Sequence, residues 1–202
     1  MTLDLRICFV GDSFTAGAGD ETALGWVGRV TAGAWHRGVA LTAYNLGVRR
    51  DTSADIRRRA EAEVLARLLR AGDAAAVVFC FGANDTTHED GMPRVPPEAT
   101  AANARELLGW AMERWPVLLF GLPPLAHDAA HDARVAALEP VLATVAAELG
   151  VPFLPLHAAL SASHAWRAGA ARGDGVHPDA AGYAAMAALV EAWPPWRRLT
   201  GG

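Results

Sequence analysis

The chain has 202 residues, 52% of them hydrophobic, and a formal net charge of −4. That balance fits one ordinary α/β domain over residues 1–202, and it lacks the basic surplus of a nucleic-acid binder. No apolar stretch approaches the roughly 20 residues needed to span a bilayer. The opening Met-Thr-Leu-Asp-Leu-Arg has none of the segments of a secretion signal, so a cytoplasmic location is expected.

Residues 5–10 form a continuous apolar run, the pattern of a strand covered on both faces, and lead into Gly11-Asp12-Ser13. Leu24, Val27, Val30 and Ala34 then recur at helical spacing. A second strand over 42–46 ends at Gly47, and Thr52 or Ser53 caps the next helix, whose apolar positions include Ile56, Ala60, Val64 and Leu68. The third strand, 75–81, runs up to Asn84 and Asp85. A helix over 97–114 starts with Pro97 in its first turn. Strands at 117–121 and 152–156 flank a helix at 134–149. The last helix spans 178–192, with Pro178 in its first turn, and the tail Trp193-Pro-Pro-Trp196 is expected to pack over the domain edge. Cys8 and Cys80 sit in strand-like runs and read as packing residues.

This alternation of strands and helices defines a parallel sheet with helices on both faces. In such sheets ligands bind outside the carboxyl ends of the strands. Ser13, Gly47, Asn84, Asp85 and the Asp174/His177 loop all follow strands, and so share one edge. By analogy with flavodoxin-like folds, the expected architecture is a three-layer α/β/α domain with five strands in the order 2-1-3-4-5. Its crevice would bring Ser13 near Asn84.

A serine hydroxyl is a weak nucleophile unless a base takes its proton, and imidazole serves best when a carboxylate fixes its tautomer. Ser13, His177 and Asp174 supply these groups. The Ser13 and Gly47 amides and the Asn84 side chain are candidate oxyanion donors, each typically worth about 3 kcal/mol in the transition state.

Four blocks carry a family resemblance: Val10-Gly-Asp-Ser-Phe-Thr-Ala-Gly17, Asn45-Leu-Gly47, Phe81-Gly-Ala-Asn-Asp85, and Asp174-Gly-Val-His-Pro178 followed by Gly182-Tyr183. In this order the chain resembles the SGNH hydrolases, also called GDSL-type esterases and lipases. The resemblance implies Ser13 as nucleophile, His177 as general base and Asp174 as its orienting acid. It further implies an oxyanion hole of Ser13, Gly47 and Asn84, with Asp12 bracing the turn and Asp85 supporting its own loop. No metal or cofactor is implied. The implied partner is a small acyl ester, such as a short-chain ester, a lysophospholipid or a thioester. Two residues depart from the pattern: Phe14 stands where the family name calls for leucine, and Arg50 stands where many relatives carry glycine.

Two other readings stay open on the residues alone. His127 and His131 are spaced as metal ligands on a helix would be, which would suit a metal-dependent hydrolase. A catalytically idle, flavodoxin-like ligand-binding module is the second. Nothing in the pattern bears on oligomeric state.

Overall fold

The computed structural model describes residues 4–69 and 74–201. In chain order its elements are β1 (Asp4–Gly11), α1 (Ser13–Ala16), α2 (Gly25–His36), β2 (Ala40–Gly47), α3 (Ser53–Leu68) and β3 (Ala75–Cys80). A short 3-10 turn (Ala83–Thr86) and a two-stranded hairpin, β4 (His88–Glu89) and β5 (Met92–Pro93), precede α4 (Pro97–Met112). Then come β6 (Val117–Phe120), α5 (Ala129–Leu149), β7 (Phe153–Leu154), α6 (His157–Ala162), α7 (His164–Arg172), α8 (Ala180–Ala192) and α9 (Pro194–Leu199).

Five strands form one parallel sheet in the order β2-β1-β3-β6-β7, the expected topology. Every residue of β3 and β6 is buried, so the inner strands read as unbroken apolar runs. Edge strand β2 mixes exposed and buried positions. Successive strand residues point to opposite faces. Phe9 of β1 meets Trp26 of α2 and Trp196 of α9 on one side, with ring centroids 5.4 and 6.2 Å away. Burying each such ring contributes roughly 2–3 kcal/mol. The tail thus fills the core and does not skirt the domain edge: Trp196 is fully buried, and Trp193 stacks edge-on against Phe120 at 5.7 Å.

Helix boundaries follow their caps. Thr52 caps α3 through a reciprocal capping box with Asp55, worth about 1 kcal/mol. Asp128 caps α5 by accepting from the amides of Ala130 and His131, which starts that helix five residues before the expected 134. Pro178 lies outside α8, whose cap is Asp179. Among the described residues no helix is long and apolar enough to cross a membrane.

Candidate active site

The carboxyl ends of β1 and β3 frame the crevice. Strand β1 ends at Gly11, and buried Asp12 turns the chain into α1 by accepting from the Phe14 amide at 3.0 Å. That cap places Ser13 at the first position of the helix. Burial, reinforced by the carboxylates of Asp85 and Asp51, pushes the Asp12 carboxyl up to about 7 against the pull of the Phe14 bond.

His177 approaches from the loop before α8. Its Nε2 lies 2.7 Å from Ser13 Oγ, and its Nδ1 lies 2.6 Å from Asp174 Oδ2. The other oxygen of Asp174 accepts from the amides of Val176 and His177 at 2.9 and 2.8 Å, so the carboxylate also shapes the loop. Burial alone would raise the Asp174 carboxyl. The His177 amide and imidazole, with the Val176 amide, outweigh it and bring the carboxyl down to about 2. Gly175 makes the tight turn between acid and imidazole, with φ of 78°. A Cβ there would also sit 2.3 Å from the Cβ of His127. Beneath the loop, Phe14 packs on His177 and Trp166, and the Tyr183 hydroxyl donates to Ala18 O at 2.8 Å.

A cleft of about 270 Å³ opens over these groups. Ser13, Asn84 and His177 line it, with Thr87 and Arg94 from the hairpin side and Leu125 and His127 from the loop after β6. One N–H of Asn84 Nδ2 donates to Asp51 O at 3.0 Å, which orients the amide and leaves its second N–H. A larger groove of about 380 Å³ opens at the amino ends of β6 and β7; among the described residues its one ionisable lining side chain is Arg198, so these supply no nucleophile and base there.

Gly47 closes β2 beside α1. It remains in the sheet ladder opposite Gly11, and its amide donates to Asn45 Oδ1 at 3.0 Å. A Cβ at Gly47 would lie 2.2 Å from the Ala16 amide, so this glycine serves the close approach of β2 to α1. Asn45 cements the same contact by donating to Thr15 O at 2.8 Å. The cleft wall at this corner is made by Arg49 and Arg50. Asp85 reaches further than its own loop: its carboxylate accepts from the Ser53 amide and the Thr100 hydroxyl, both at 2.7 Å. It therefore joins α3 and α4 to the Asn84 turn, beyond supporting its own loop.

His127 and His131 do not share a helix face, because His127 precedes the cap of α5. His127 Nδ1 lies 3.3 Å from Gly175 O, and His131 Nε2 lies 3.0 Å from Thr86 Oγ1. Among the described residues no three His, Cys, Asp or Glu side chains group as metal ligands. Burial, with the Arg134 charge, lowers the His131 pKa. Residue spacing did not reveal Glu139 of α5, whose Oε1 accepts from the amides of Leu122, Leu156 and His157 at 2.9–3.0 Å. It pins the loops after β6 and β7, the first of which carries Leu125 and His127 of the cleft wall.

A hydroxyl, an imidazole and a carboxylate in series, on the carboxyl edge of a five-stranded α/β/α sheet, define the class as hydrolases of the GDSL type. The chain belongs to the GDSL-like lipase/acylhydrolase family, whose pattern it matches over residues 9–185. Among solved structures it is similar to a lipase/acylhydrolase from Enterococcus faecalis, with 25% identity, a TM-score of 0.77, and 98% of this chain and 96% of that one covered. It is also similar in fold to Axe2, an acetylxylan esterase from Geobacillus stearothermophilus: 21% identity, TM-score 0.74, covering 100% and 97% of the two chains. A lipolytic G-D-S-L protein from Veillonella parvula matches at 19% identity and TM-score 0.73, covering 93% and 97%. No curated protein matches the chain in sequence.

Proposed function

We propose that this hydrolase cleaves carboxylic esters through an acyl-serine intermediate, with Ser13 as nucleophile, His177 as general base and Asp174 as its orienting acid. The observation that carries the reading is the continuous relay from Ser13 Oγ to His177 Nε2 and from His177 Nδ1 to Asp174.

Ser13 Oγ attacks the ester carbonyl as its proton passes to His177 Nε2, and the carbonyl electron pair moves onto oxygen. The Ser13 amide and the free N–H of Asn84 then hold the oxyanion. Collapse of the intermediate breaks the bond to the alcohol oxygen, which leaves with the proton from Nε2. Water then attacks the acyl-serine while Nε2 takes its proton; the same nitrogen returns that proton to Ser13 Oγ as the acid leaves. Asp174 keeps the imidazole in the tautomer with hydrogen on Nδ1 and stabilises the imidazolium that forms twice. The small, open cleft suits short or soluble acyl groups.

A fluorophosphonate probe tests the chemistry. One adduct on Ser13, with competing loss of hydrolysis of a short aryl ester, is the expected result. Labelling that persists in Ser13→Ala, or none in the wild type, rejects it.

A further inference from the structure

The cleft beside Ser13 carries more positive charge than a neutral ester requires. Arg49, Arg50 and Arg94 line it, and among the described residues no carboxylate does, although the chain as a whole is acidic at −4. Arg94 is already matched. Its Nε lies 3.4 Å from Glu89 and its Nη2 3.9 Å from Asp55, and its Nη1 donates to Arg50 O at 2.9 Å. The nearby acids are engaged too: Asp51 accepts from Arg59 Nε at 2.6 Å, and Asp55 pairs with Arg58. Among the described residues the guanidinium groups of Arg49 and Arg50 have neither a carboxylate partner nor a hydrogen bond. Elsewhere several surface arginines meet acids, as Arg57 meets Glu106 and Arg105 meets Glu148, whereas Arg67 and Arg134 bind backbone carbonyls.

Arg50 is also held in an unusual conformation. Its φ is +69°, in the left-handed region that glycine enters freely and arginine does not. The bond from Arg94 to Arg50 O clamps this backbone in place. A bulky cation is thus kept at a cleft position whose backbone favours glycine, and backbone strain of this kind clusters at functional sites.

We infer that Arg49 and Arg50 form an anion-recognition subsite, so that the preferred ester bears a carboxylate, phosphate or sulfate beside its scissile bond. The inference rests on the esterase reading above and narrows its substrate class. A guanidinium presents parallel donors that fit such groups in bidentate fashion. At the exposed mouth of the cleft the attraction is open to screening, so the selectivity it creates falls with salt.

Matched ester pairs differing in charge test it: monomethyl succinate against methyl isocaproate for the acyl half, and para-acetoxybenzoate against its methyl ester for the alcohol half. At low salt the anionic member of at least one pair should lead by about tenfold or more in kcat/KM. That ratio should shrink on adding salt. It should collapse in the Arg49→Gln/Arg50→Gly double variant, where glycine accepts the left-handed backbone. Equal rates within both pairs, or a preference that survives in the double variant, overturns the subsite. Calorimetric titration of the para-acetoxybenzoate pair onto Ser13→Ala reads the same preference without turnover, and equal affinities there also count against it. Preferential binding of the anion with no hydrolysis of any of the four esters would uphold the subsite and reject the esterase chemistry.

Discussion

Ser13 Oγ and His177 Nε2 stand 2.7 Å apart, although 164 residues separate them in the chain. A proton shared across that distance makes the two side chains one functional unit. Replacing either with alanine is therefore expected to lower kcat by about 10⁴-fold or more, and replacing both to cost little beyond either alone. Steady-state kinetics on a short aryl ester, with thermal melts confirming folded protein, checks this. A double variant that multiplies the two single losses would mean that the residues act separately.

Asp174 is half exposed, its side chain at 51%, yet it binds the imidazole and two backbone amides. Asp174→Asn keeps the shape but allows the wrong imidazole tautomer, and kcat should fall on the order of 10³-fold. The acidic pKa sets a pH signature. A carboxyl lowered to about 2, from 3.8 when unperturbed, favours the folded state above about pH 4, and that benefit fades as pH drops through about 2. Exposure makes the stability share small, so the variant should lose far more activity than thermal stability. A melt lowered in proportion to the rate would instead mark Asp174 as a loop brace only.

Asn84 offers the clearest kinetic split. Its fixed amide donates to Asp51 O and keeps one N–H for charge that develops on the reacting oxygen. Asn84→Ala should lower kcat by about 10²–10³-fold while raising KM much less, since the donor counts most once the carbonyl carries charge. A rise in KM with kcat preserved would place Asn84 in ground-state binding and remove it from the oxyanion hole.

Much of this arrangement was legible in the residues, for definable reasons. Strands β3 and β6 are buried on both faces and so appear as unbroken apolar runs. With strands and helices alternating, the carboxyl edge follows, and with it the meeting of Ser13, Asn84 and His177. The elements that escaped notice lack a period. Hairpin β4–β5 has two residues per strand, α1 has four residues, and α6 and α9 have six each, too few for a helical repeat to register; α7, with nine, buries only Trp166, Gly169 and Ala170. The residues alone do not fix the role of Gly47, because a glycine after a strand serves close packing as readily as an exposed amide. Its packing role shows only in the fold, where a Cβ on Gly47 would meet the Ala16 amide at 2.2 Å. Glu139 gave no signal, since its three amide partners lie 17 and 18 residues away in the chain and on different loops.

Asp12 joins the catalytic turn to the stability of the whole domain. Its carboxyl is buried and its pKa stands at about 7, against 3.8 for an unperturbed aspartate. The unfolded chain therefore releases this proton near pH 4, whereas the folded protein keeps it until about pH 7. Folded stability from this group is complete below about pH 4 and declines as pH rises through about 7. Asp12→Asn preserves an oxygen to accept from the Phe14 amide and carries no charge to bury, and asparagine ranks with aspartate as a cap. Urea unfolding of both proteins should show the variant gaining at least about 1 kcal/mol on the wild type between about pH 5 and about pH 8. The gain should level off at higher pH. Stability curves that run parallel across this window would mean that Asp12 is ionised in the folded protein throughout, held charged by the α1 amides.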